Sequence, residues 1–211
     1  MADALWPAVH AERGALAEDL AGLDDKQWAH PTLCGQWVVE EVVAHLTAAA
    51  SITMARWLVS IVGARFNADV HNQRRMAEHR GATPEETLAR FRRIVTSTTA
   101  PTRDTAAWLG EVVVHGEDIR RPLGLSYSPP VATVTEVARF YAGRDFTVAG
   151  RTMSKGLRLE ATDGPFATGT GPVVSGTTLA LTMVMAGRPV YGQELTGPGA
   201  PTMRERCSGG R

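Results

Sequence analysis

Glu111 and His115 stand four residues apart in the stretch Trp108-Leu-Gly-Glu-Val-Val-Val-His-Gly-Glu-Asp-Ile-Arg-Arg-Pro-Leu-Gly124. On a helix, residues at i and i+4 lie one above the other on the same face. Trp108, Val112 and Ile119 make that face largely apolar. A carboxylate and an imidazole aimed together into apolar surroundings are costly to bury unless something pairs with them. Either they hydrogen-bond each other or they share a metal. A metal needs a third ligand, and His45 is the candidate. It shares one helical stripe with Val38, Val42, Ala49 and Ile52, which predicts that it faces inward.

Two imidazoles and one carboxylate leave coordination positions open, as in catalytic rather than structural zinc sites. The same set suits Fe(II) or Ni(II), because ligand type alone rarely fixes the metal. Asp118, one turn beyond His115, is placed to accept the other imidazole N–H. Against this stands the plainer reading that a Glu and a His at this spacing recur in many helices and are ordinary buried polar groups. His10, His30, His71 and His79 lie in polar contexts and are expected at the surface. Cys34 precedes a helix N-terminus, a position that lowers thiol pKa. No general base is recognisable near it, so a small buried packing role is expected. Gly169-Thr-Gly171 lacks the Lys-Ser/Thr that a nucleotide loop needs.

The elements that must position these residues are mostly helical. Leu5, Val9, Leu16, Leu20 and Leu23 predict an amphipathic helix over 3–23, with Glu12, Glu18 and Asp19 outside. Asp24-Asp25-Lys26-Gln27 has the form of a capping box opening a single turn. A second helix is expected from Gln36 to about Gly63, and a polar helical connection over 66–80. Thr83-Pro84-Glu85-Glu86 combines an N-cap, a proline at the first helical position and a glutamate at N3. The Glu111/His115 helix follows, and another after Ser128-Pro129-Pro130. Helices with short connections predict an antiparallel bundle over 1–147. From Gly156 the pattern alternates, with a turn at Asp163-Gly164. An apolar helix over 177–186 ends at Gly187, and the tail is expected to be short helix or disordered. Residues 148–211 are therefore expected as a small α+β appendage. The fold class is mainly α.

At 44% hydrophobic residues the chain can bury a normal core, and its 22 Lys+Arg balance 22 Asp+Glu. That balance provides no basic field to attract nucleic acid. Cys34 and Cys207 are far apart and neither belongs to a CxxC pair, unlike disulfide-stapled secreted domains. The N-terminal residues lack a basic segment followed by an apolar run, so no signal peptide is expected. The longest apolar segments are interrupted by Glu40, Glu41, His45 or Thr182, short of the roughly 20 apolar residues a membrane span needs. The expectation is a cytoplasmic protein, monomer or homodimer, that meets neither membrane nor nucleic acid.

Three motifs in order carry a resemblance. Trp28-x-x-Pro31-Thr32, Cys34-Gly-x-Trp37 and Val43-Ala-His-Leu46 resemble the start of the DinB-like, mycothiol-dependent maleylpyruvate isomerase family. Glu111-x-x-x-His115-x-x-Asp118-Ile-Arg-Arg-Pro-Leu-Gly124 resembles its second motif. Ala161-Thr-Asp-Gly, Gly169-Thr-Gly-Pro172 and Ala186-Gly-Arg188 resemble its C-terminal domain. The resemblance implies a DinB-like up-and-down four-helix bundle followed by a small α+β domain. It implies a divalent metal, usually zinc, on His45, Glu111 and His115, with mycothiol as thiol cosubstrate at the open position. It also implies an arginine that helps hold substrate, for which Arg188 is the candidate. The reaction expected is thiolate attack on an electrophilic small molecule, as an isomerase or a thiol S-transferase. A hydrolase using metal-activated water at the same residues, and a non-catalytic binding protein, remain as alternatives.

Overall fold

In the computed structural model, residues 2–35, 37–65 and 67–209 are described. The chain forms two compact units, Met1–Tyr127 and Ser128–Arg211.

The first unit holds α1 (Trp6–Ala21), a single turn α2 (Asp25–Trp28), α3 (Val39–Ala49), α4 (Met54–Gly63), α5 (Ala68–His79), α6 (Pro84–Arg93) and α7 (Thr105–Leu123). Helices α1, α7, α3 and α6 pack in a ring, each touching the next, and form a four-helix bundle. Helix α5 lies against α3, and α4 against α5. Val9, Leu16 and Leu20 of α1, Val39, Val42, Val43 and Leu46 of α3, Phe91 of α6 and Leu109, Val113 and Ile119 of α7 are buried. Helical periodicity therefore predicts the core correctly.

Local capping explains where the helices start. Asp24 and Gln27 satisfy each other's backbone N–H groups before α2, at 2.8 and 3.0 Å. The Thr83 hydroxyl accepts from the Glu86 N–H ahead of α6. Such caps are each worth about 1 kcal/mol. Helix α7 ends at Gly124, whose φ of 65° is left-handed and easy only for glycine.

Three expectations are corrected here. The helix expected from Gln36 to Gly63 is two helices; its expected first residue, Gln36, lies outside the described residues. Thr53 is extended, and the Ser97 hydroxyl donates to the Ala50 carbonyl at 3.0 Å, so α3 stops and α4 starts afresh. Glu12 is not outside: it is buried, and Tyr127 OH donates to its carboxylate at 3.1 Å. His71 is not at the surface but buried on α5, its ring 6.1 Å from that of Trp57.

The second unit holds α8 (Val131–Gly143), α9 (Gly150–Ser154), β1 (Arg158–Ala161), β2 (Ala167–Gly169), β3 (Val173–Gly176), α10 (Thr178–Met185) and α11 (Ala200–Gly209). The sheet order is β2-β1-β3, with β1 antiparallel to β2 and parallel to β3. Helix α8, grouped on sequence with the first 147 residues, packs on α10 in this second unit. Its buried face is Val134, Val137, Ala138 and Tyr141, and nothing in that pattern says which partner it will meet. The Thr177 hydroxyl caps α10 by accepting from the Ala180 N–H at 3.1 Å.

No helix among the described residues is long and apolar enough to cross a membrane.

Candidate metal centre

His45 comes from α3, and Glu111 and His115 from the neighbouring α7. Glu111 Oε2 lies 3.3 Å from His45 Nε2 and 3.4 Å from His115 Nε2. One ligand atom from each residue lies within 4.8 Å of the others. The i, i+4 spacing stacks Glu111 and His115 as expected. The His45 stripe brings the second imidazole to the same carboxylate from across the helix pair.

The outer contacts fix the imidazole orientations. His115 Nδ1 is 3.0 Å from Asp118 Oδ2, and Asp118 is wholly buried. An ionised carboxylate only accepts, so Nδ1 carries the proton and Nε2 turns toward Glu111. The Trp37 ring packs on His45 at 5.0 Å and on His115 at 6.4 Å between centroids. Electrostatics without a metal follow from this geometry. Burial pushes the Glu111 carboxyl up, but the hydrogen bonds from His115 and His45 outweigh it and hold the group well below the usual carboxylate range. Burial pushes His115 down, while Asp118, Cys34 and Glu111 outweigh it and hold the ring well above its ordinary pKa.

The loop ahead of α3 closes one side of the site. It is fastened internally, since the Thr32 hydroxyl donates to the Trp37 carbonyl at 2.8 Å and accepts from the Cys34 N–H at 3.1 Å. It is fastened to α7 as well, because the Leu33 N–H donates to the Asp118 carbonyl at 3.1 Å. This geometry corrects the reading of Cys34. The residue is half-buried, and its sulfur shares His115 with Asp118, the three donor atoms lying within 4.8 Å of one another. The available signal was the Cys34-x-x-Trp37 spacing directly before the His45 helix. What sequence could not show is that the loop folds back over α7.

Arg188 lies in the second unit just after α10, where its Nη1 donates to the Ala186 carbonyl at 2.6 Å. Gly169 ends β2 and Gly171 follows it in the same unit, each with a positive φ. A Cβ on either would meet a backbone oxygen at 2.2 or 2.3 Å.

The donor set suits a divalent metal. Two imidazole nitrogens and a carboxylate oxygen converge on one point, one imidazole being oriented by a buried carboxylate behind it, as ligating histidines commonly are. Fold and site together define a helical bundle with a two-histidine, one-carboxylate cluster between adjacent helices. The family profile described as "Mycothiol maleylpyruvate isomerase N-terminal domain" matches residues 9–116, and the chain belongs to that family. Two solved structures share the fold: the mycothiol-dependent maleylpyruvate isomerase and a histidine-to-alanine mutant of it. Each is 14% identical, with a TM-score of 0.63 over 95% of this chain and 94% of the other. No curated protein matches the sequence.

Proposed function

We infer that this chain is an enzyme that uses a divalent metal, zinc in the first instance, to activate a low-molecular-weight thiol such as mycothiol against an electrophilic small molecule. The observation that carries the reading is the convergence of His45 Nε2 and His115 Nε2 on one oxygen of Glu111. In this reading His45, Glu111 and His115 are the metal ligands. A metal bound there supplies Lewis acidity that keeps a thiol as thiolate near neutral pH, where a free thiol of pKa about 8.5 is mostly protonated.

The chain's own groups do the rest. Asp118 holds the Nδ1 proton of His115 and so presents Nε2. Trp37 covers the flank of both imidazoles and keeps water from that side. Family membership supports a thiol as the co-reactant. Addition of the thiolate to an activated double bond, rotation and elimination would make the chain an isomerase. Retention of the adduct would make it an S-transferase. Arg188 is the proposed substrate-holding residue of the second unit.

The test is turnover of maleylpyruvate and of a chlorodinitrobenzene-type electrophile by the zinc-loaded chain, with and without mycothiol. Thiol-dependent loss of either substrate supports the reading. Hydrolysis of ester or amide substrates without thiol, and none with it, replaces the reading with a metal-dependent hydrolase.

A further inference from the structure

The second unit carries a cavity of about 400 Å3 that plays no part in the thiol reading. One wall is the segment from Arg151 to Leu157 and the other is Thr168-Gly169-Thr170, with Asp145 at the edge. Leu157, which is buried, and Ala142 give the cavity part of its lining as apolar surface.

The charges around it are unbalanced. Although the whole chain is neutral, residues 128–211 hold nine Arg and Lys against six Asp and Glu. Arg151 and Lys155 line the cavity; neither is within ion-pair distance of a carboxylate among the described residues, although, behind the hydrogen bonds from Thr152, the Arg151 charge helps hold the Asp145 carboxyl below its ordinary pKa. Arg206 adds a third cation at the rim, where its Nη1 donates to the carbonyls of Met153 and Lys155 at 2.8 and 2.7 Å. The one carboxylate, Asp145, is engaged on both oxygens by Thr152, from the backbone N–H at 3.0 Å and the hydroxyl at 2.7 Å.

The opposite wall supplies hydroxyls. Thr168 lies in β2, an edge strand of the sheet, and Thr170 directly follows the strand's last residue, Gly169; both line the cavity. Gly169, with φ of 78°, lets this wall approach to where a Cβ would sit 2.2 Å from the Leu157 carbonyl oxygen. Two cations and two hydroxyls lining one cavity are the chemistry that holds an oxyanion through charge-assisted hydrogen bonds. The volume falls in the range of small-molecule clefts.

The geometry points to this cavity as a binding site for a small molecule that carries a phosphate or carboxylate group, with Arg151 and Lys155 as the charge partners and Thr168 and Thr170 as donors. The site lies wholly within the second unit and stands whether or not the thiol reading does.

The test is titration of the full-length, isotope-labelled chain with inorganic phosphate and, separately, with succinate, each at constant ionic strength against chloride and followed by amide NMR shifts. Saturable shifts confined to 155–157 and 168–170 are expected for at least one probe. Saturation by phosphate alone assigns a phosphate group, and by succinate alone a carboxylate. Lys155→Ala and Arg151→Ala should each weaken binding about tenfold, the loss of one charge-assisted hydrogen bond. Asp145→Asn, which removes the only carboxylate lining the cavity among the described residues, should tighten it. Both cations are exposed, so an unchanged remainder of the spectrum verifies the fold. Absence of saturable shifts with both probes, or undiminished binding in both cation variants, overturns the assignment.

Discussion

Asp118 Oδ2 lies 3.0 Å from His115 Nδ1, and this contact decides which nitrogen of His115 faces Glu111. Asp118→Asn keeps the shape of the contact but offers an amide that can present its NH2 group to Nδ1. The expected outcome is a metal affinity lower by about 10- to 100-fold, with helix content retained. Competition with a chromophoric chelator measures it. Unchanged affinity would show that His115 is oriented by the loop and α7 packing alone.

His45→Ala removes a proposed ligand from α3 without disturbing α7. Its side chain is 16% exposed, so truncation leaves a space that water can reach and the bundle should stay folded. Elemental analysis of the purified variant should show the metal gone, while far-UV circular dichroism is unchanged. Stoichiometric metal in this variant would refute the ligand assignment.

Arg188→Ala should lower turnover and leave metal content unchanged, as a substrate-holding residue requires. Loss of metal on this substitution would instead make Arg188 a structural support.

Glu12 carries a pH prediction. Burial raises its pKa above 4.5, outweighing the opposing effects of Tyr127 and Arg120. A raised folded-state pKa means that the native state binds the proton more tightly than the unfolded state does. Stability from this group is therefore full below about pH 4.5 and declines as pH rises through the folded pKa. Glu12→Gln cannot ionise and still accepts from Tyr127. Denaturant titrations at several pH values should show the variant gaining on the wild type as pH climbs from about 4.5. The gain should reach about 1.4 kcal/mol for every tenfold difference in proton affinity between the folded and unfolded chains. A difference that is flat with pH would mean that Glu12 is ionised in the fold.

Gly116→Ala tests the packing that carries α7. A Cβ there would lie 2.8 Å from Nη1 of Arg120, which is fully buried and held to Asp19 at 2.7 Å. The guanidinium has little room to move aside, so a loss of about 1–3 kcal/mol is expected in a thermal or denaturant melt. A smaller loss would show that Arg120 can shift without cost.

Much of the site was legible because its grammar is local. The spacing of Glu111, His115 and Asp118 sets a face of one helix, and the apolar stripe of α3 turns His45 inward. These are consequences of the 3.6-residue period, which requires no knowledge of the partner. The bundle followed from the same periodicity, together with the caps at Asp24 and Thr83.

What tertiary structure decided were meetings between segments far apart in the chain. Cys34 reads as a small packing residue until its loop is fastened over Asp118. Glu12 reads as a solvent-facing acid until Tyr127 and Arg120 close over it. His71 lies in a polar sequence yet is buried between α5 and its neighbours. Helix α8 shows an apolar stripe that fits many partners, and only folding pairs it with α10. Periodicity tells a side chain whether to point inward. The groups it meets there depend on long-range packing, and that packing determines the protonation of Glu111, His115 and Glu12.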